Sequence, residues 1–199
     1  MDWKNLPGIE SRGPNCNTVR CSEISNDQKT LDSLLSQYDE RFEPHLGCYT
    51  GEPLVINAST GAKFHKARPV PYALQNRVEK ALLKMEMDGI IERVSSATSA
   101  APVVTVGKKD SDDVCVCGDF SVTYNACANV ETYPMPKIED MHLALRGCTV
   151  FSVLDLKQAY HQIPVSKDSL KYLIINTHIG LFALKRLPNG IHSGPAIFQ

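Results

Sequence analysis

Residues 72–88, YALQNRVEKALLKMEMD, carry the long amphipathic repeat of this chain, and what surrounds that repeat limits the possible folds. Leu74, Val78, Leu82 and Met85 recur at helical spacing, Pro71 stands just before them and Gly89 just after. A proline at the entry and a glycine at the exit are the usual punctuation of one helix. The apolar segments beyond it are too short for further helices of that kind. Runs at 101–106, 114–120, 149–156, 171–177 and 181–187 are β-like in length and composition. A second helix fits 137–146, between Pro136 and Gly147, and a third fits 31–42, LDSLLSQYDERF, with Thr30 as its N-cap. Helices and strands alternate without a steady βαβα rhythm, which predicts an α+β fold over a doubly wound sheet.

Composition narrows the function classes. At 199 residues, 43% hydrophobic and 22% charged, the chain can bury a core. No apolar run approaches the roughly 18–20 residues of a membrane span. The start, MDWKNLPGIESRG, lacks the basic and apolar regions of an export signal, so an intracellular protein with no membrane partner is expected. The formal charge of −1 conceals a split: residues 1–62 hold five basic and nine acidic side chains, residues 63–199 sixteen and thirteen. The second part is mildly cationic, which permits a polyanionic partner without requiring one. Seven cysteines, at 16, 21, 48, 115, 117, 127 and 148, are an odd number without a zinc-type spacing, so reduced thiols are expected. In an alternating strand Cys115 and Cys117 point to one face. The histidines form no HExxH pair, and no nucleophile-elbow, Walker or dinucleotide glycine pattern occurs.

Three local patterns can carry chemistry. In 149–163, TVFSVLDLKQAYHQI, an apolar run ends in Asp155, with Tyr160 close behind. A carboxylate there either caps the following turn or offers a hard oxygen to a divalent cation. Lys108 and Lys109 lie in GKKDSDDV between two strand candidates, either as solvated turn residues or as phosphate partners. At the end, LKRLPNGIHSGPAIFQ runs from a strand through Pro188-Asn189-Gly190 into a helix start at Ser193.

These patterns occur together and in order in one family. From about Phe64 to Gln199 the chain resembles the fingers and first half of the palm of a reverse transcriptase, an RNA-directed DNA polymerase. The nearest likeness is to gypsy-type LTR-retrotransposon Pol polyproteins. The stretches that carry it are KARPVPYALQNRVEKALLKMEMDGIIE, AAPVVTVGKKD, CGDF, YPMPKIED, FSVLDLKQAYHQIPV, KYLIINTHIGLFALKRLPNG and GPAIFQ. The resemblance implies residues 64–199 as a partial polymerase domain of the right-hand fold, and residues 1–63 as the largely irregular connector after a protease-like region. It implies Asp155 as a catalytic carboxylate holding Mg²⁺, with the main-chain carbonyl of Leu156 as the next ligand. Lys108 and Lys109 would meet the triphosphate, and Gln158 and Ala159 would lie under the nucleotide. Tyr160 would exclude a ribose 2′-hydroxyl, and Asn189 would touch nucleotide and template. The implied partners are an RNA or DNA template-primer and deoxynucleotides, and the implied location is the cytoplasm or a retroelement particle.

Departures accompany the matches. Cys115 stands where the family usually has an arginine that clamps the triphosphate, and a thiol supplies neither its charge nor its fork of donors. Ser99 and Asn189 replace bulkier residues. The family's Tyr-x-Asp-Asp hairpin would follow GPAIFQ and is not in the sequence, nor are the second half of the palm, thumb, ribonuclease H and integrase regions. Two-metal phosphoryl transfer needs carboxylates from two strands, so the expectation is a polymerase fragment inactive by itself. The alternative is a non-catalytic nucleic-acid-binding remnant, or a degenerate reading frame without function.

Overall fold

A computed structural model describes residues 28–58, 63–107, 113–128, 137–149, 151 and 153–198. It is α+β and divides into two compact units, one spanning 46–133 and 157–199, the other 1–45 and 134–156.

The larger unit is built on a five-stranded mixed sheet. Its strands are β1 (Ile91–Val94), β2 (Ala101–Gly107), β3 (Val114–Gly118), β4 (Ile174–Thr177) and β5 (Gly180–Leu184), in the order β1-β5-β4-β2-β3. β2 and β3 form an antiparallel pair from Val103↔Gly118 to Gly107↔Val114, as expected for the lysine-bearing hairpin. β4 and β5 form a second antiparallel pair, joined to β2 by a short parallel contact at Ala101↔Ile175. β1 closes the far edge against β5.

The long helix of this unit spans Tyr72–Met87. It stops because Gly89 adopts φ +68°, a conformation only glycine takes without strain. The Ile90 amide then donates to the Met85 carbonyl at 2.9 Å and the Gly89 amide to the Glu86 carbonyl at 3.1 Å, the paired bonds of a Schellman end. Val78 and Leu82 are fully buried, in one core with Ile90, Ile91, Val103, Phe120, Leu173, Ile175, Phe182 and Leu187. Residues ahead of the helix join the same core. Leu54 bridges Val165, Phe64 bridges Ala100, and the buried Ile56 amide donates to the Ser169 hydroxyl at 2.8 Å.

The smaller unit contains helix α1 (Gln28–Ser36), a 3₁₀ turn at Asp39–Arg41 and a helix at Ile138–Ala144. With Tyr72–Met87 as α2, this last is α3, and Gly194–Phe198 in the larger unit is α4. None of the smaller unit's residues at 32–45, 137–149, 151 and 153–156 is buried.

Several expectations need correction. The run 149–156 is no strand among the described residues: no ladder partner meets it, and Val153 and Leu154 are 91% and 81% exposed. A strand gains its hydrogen bonds only from a neighbour. Asp155 does not cap the following turn, because the 3₁₀ helix begins at Ala159 with Gln158 in the flanking position. Helix α1 begins at Gln28, ahead of Thr30, and gives way to 3₁₀ structure by Asp39. Residues 171–172 end a 3₁₀ helix, so only 174–177 is extended. The run 181–187 is strand only to Leu184, and β1 had no counterpart in the sequence reading.

Candidate functional site

The larger unit gathers one set of candidate residues around the end of β3. Gly118 is held where a Cβ would lie 2.6 Å from the Phe120 ring and 2.9 Å from Ile175, so glycine is required by close approach. Its carbonyl oxygen in turn faces Gly190, where a Cβ would come within 3.1 Å of it and φ is +93°. The Pro188-Asn189-Gly190 turn therefore packs against the β3 terminus, with Asn189 itself exposed. Asn125 fixes the turn from the other side: its side-chain amide donates to the Gly190 carbonyl at 2.8 Å and accepts from the His192 amide at 3.1 Å.

The turn leads into α4, where Gly194 lies against Tyr160; a Cβ at Gly194 would be 3.3 Å from the tyrosine ring. Phe198 of the same helix meets that ring with centroids 5.7 Å apart and planes tilted by 52°. Tyr160 is thus half-buried and held on two sides. Ala159 is half-buried beside it, and Gln158 is exposed at φ +47° and ψ +49°. Gln158 is the one non-glycine residue with positive φ among the described residues, a conformation that surrounding contacts must sustain.

Beyond Gly118, Asp119 accepts from the Ser121 hydroxyl and from Arg68, whose guanidinium is 2.5 Å away. The Ser121 hydroxyl bond first, and then the hydrogen bond and charge of Arg68, hold the Asp119 carboxyl below the ordinary carboxylate range against the opposing effect of burial. The pKa of His161, next to Tyr160, is lowered as well, by burial first and then by the nearby Arg186 charge, and for an imidazole that favours the neutral ring. Arg68, Ser121 and Asn125 were not singled out by sequence. Arg68 meets Asp119 across 51 positions and Asn125 meets Gly190 across 65, separations that no local period encodes.

Lys108 and Lys109 lie outside the described residues, in the connection bracketed by the Gly107↔Val114 pair. Asp155 and Leu156 belong to the smaller unit, on an exposed irregular segment. A carboxylate and a main-chain carbonyl are the hard oxygen donors that magnesium selects, so the donor type fits. Among the described residues no group of three His, Cys, Asp or Glu side chains assembles around a common point. Cys115 and Cys117 share one face of β3 as expected, with sulfurs 3.5 Å apart. No helix among the described residues is long and apolar enough to cross a membrane.

Comparison with known proteins gives these features a context. Residues 114–199 match the family described as reverse transcriptase (RNA-dependent DNA polymerase). The uncharacterized protein K02A2.6 of Caenorhabditis elegans is 37% identical over 99% of this chain, which spans 16% of that protein. A retrovirus-related Pol polyprotein from transposon opus of Drosophila melanogaster is 31% identical over 98% of the chain, which spans 20% of it. Among solved structures, a foamy viral protease-reverse transcriptase in complex with double-stranded DNA superposes with a TM-score of 0.71. It covers 88% of this chain and 31% of its own, at 17% identity. The same score and identity hold for the foamy viral enzyme in complex with an RNA/DNA hybrid, over 88% and 24%. The fold is therefore that of part of a reverse transcriptase.

Proposed function

Residues 114–199 belong to the reverse transcriptase family, and on that premise we propose that the chain supplies the fingers and first half of the palm of an RNA-directed DNA polymerase from a gypsy-type LTR retrotransposon. Residues 64–199 are its polymerase portion and residues 1–63 its connector. The observation that carries this reading is positional. Asp155, Leu156, Gln158, Ala159, Tyr160 and Asn189, the residues to which the resemblance gives roles, all fall inside the matched stretch.

Asp155 and the Leu156 carbonyl would hold magnesium, which when bound offsets the charge between an attacking primer hydroxyl and a nucleotide phosphate. Lys108 and Lys109 neutralise the triphosphate as compact cations. Tyr160 presents a ring immobilised by Gly194 and Phe198, and an immobile ring rejects an added 2′-hydroxyl by contact. Gln158 and Ala159 support the nucleotide from below, and Asn189 meets it from the turn that Asn125 fixes. Template-primer and deoxynucleotides are the partners, in the cytoplasm or a retroelement particle.

The test is primer extension on an RNA template with magnesium. Because the chain spans a fifth or less of these two relatives, residues 64–199 are exchanged into the matching stretch of the transposon opus polyprotein. The chimera is expected to extend primers, and Asp155→Asn to reduce the rate by about 10³-fold or more.

A further inference from the structure

The two faces of β3 differ in kind. Val114 is buried, Val116 packs on the core, and Gly118 abuts Phe120 and Ile175. Cys115 and Cys117 take the other face, beside their cross-strand partners Val106 and Val104, which are exposed. Both thiols are free and half-buried, so a small molecule can reach them.

Their sulfurs are 3.5 Å apart, well beyond the about 2.05 Å of a disulfide. Positions i and i+2 of an extended strand hold their Cα atoms about 6.7 Å apart, at the upper edge of what a disulfide tolerates. Oxidation would therefore have to distort the strand. A single soft centre bridges the gap without distortion: two sulfurs bonded at about 2.3 Å and near-tetrahedral angles lie about 3.7 Å apart. Among the described residues no third His, Cys, Asp or Glu joins them, so a four-ligand zinc site is not assembled there. What fits is an acceptor satisfied by two sulfurs.

We propose that the Cys115–Cys117 dithiol of β3 is a chelating site for thiophilic acceptors that need two sulfurs, trivalent organoarsenicals being the class the geometry fits. Capture balances without a redox partner. Two S–H bonds break, two As–S bonds form, and the oxide oxygen leaves with both protons as water; arsenic and sulfur keep their oxidation states. Burial, together with the neighbouring Cys115, pushes Cys117 up to about 11, so this thiol stays protonated at neutral pH and reacts slowly with one-point alkylating agents. A chelator escapes that limit, because the first bond presents the second sulfur at high effective concentration. The site rests on β3 alone and is independent of the polymerase reading.

The full chain, with Cys16, Cys21, Cys48, Cys127 and Cys148 changed to serine, is titrated with phenylarsine oxide and read by intact mass. One adduct is expected, stable to excess 2-mercaptoethanol and removed by 2,3-dimercaptopropanol. Cys115→Ser and Cys117→Ser should each weaken it by about 100-fold or more. An adduct that survives either substitution at full strength, or that the monothiol removes, overturns the proposal. If the five-serine background does not keep the circular dichroism spectrum of the unsubstituted chain, the two substitutions are made in the unsubstituted chain. Each must then remove one adduct, and an unchanged adduct count overturns the proposal equally.

Discussion

Single residues at the end of β3 show how much of this fold depends on close approach. Gly118 leaves no room for a methyl group between Phe120, Ile175 and its own strand. Gly118→Ala is expected to destabilise the protein by about 1–3 kcal/mol, as overpacking does, measured as a lower urea midpoint at unchanged slope. Asp119 offers a pH test. Its folded carboxyl titrates below the ordinary value of about 3.9 because the Ser121 hydroxyl and Arg68 favour its charged form. The resulting stability is present above the unfolded value and is lost as pH falls through the folded one. Arg68→Gln should therefore lower the urea midpoint at pH 7, and the gap to the unsubstituted protein should close as the pH drops below about 3.9. A gap that is constant with pH would mean that Arg68 acts by packing alone. At this scale the sequence is legible where a rule is local. The alternation of a strand put Cys115 and Cys117 on one face, and they are. The Arg68–Asp119 contact joins an extended segment ahead of α2 to the end of β3, and only the tertiary fold brings those together.

Among the elements, α2 was the most readable, because a full helical period, an entry proline and an exit glycine agree. The same period assigns its faces. Leu82→Ala should destabilise by about 2–5 kcal/mol, the transfer and cavity cost of a fully buried leucine. Leu83→Ala, at a side chain 48% exposed, should stay within about 0.5 kcal/mol. Comparable losses at both positions in urea unfolding would show that the helix does not bury the face assigned to it. Strands were less readable, since their existence depends on partners. β1 is four residues long and its ladder comes from β5, nearly ninety positions later. The run 149–156 has strand composition without a described ladder, and its apolar side chains stand exposed. Composition proposes a strand, and pairing decides it.

At the scale of the molecule, fold and family were legible because seven ordered stretches had to coincide, a constraint no single motif imposes. The α+β class, the β2–β3 hairpin and the seating of Tyr160 beside the start of α4 accompany that order. What sequence did not reveal is how the chain divides, with Asp155 and Leu156 in one compact unit and Gln158 to Tyr160 in the other. Such a partition follows from summed tertiary contacts, which no stretch of sequence carries. It makes Asp155 the residue on which the functional account turns. In the chimeric polyprotein, magnesium-dependent primer extension is compared for Asp155→Asn and for Asp140→Asn, an exposed acid on α3. The account predicts that extension is lost with Asp155→Asn and retained with Asp140→Asn. Extension that survives Asp155→Asn at the unsubstituted rate would contradict it.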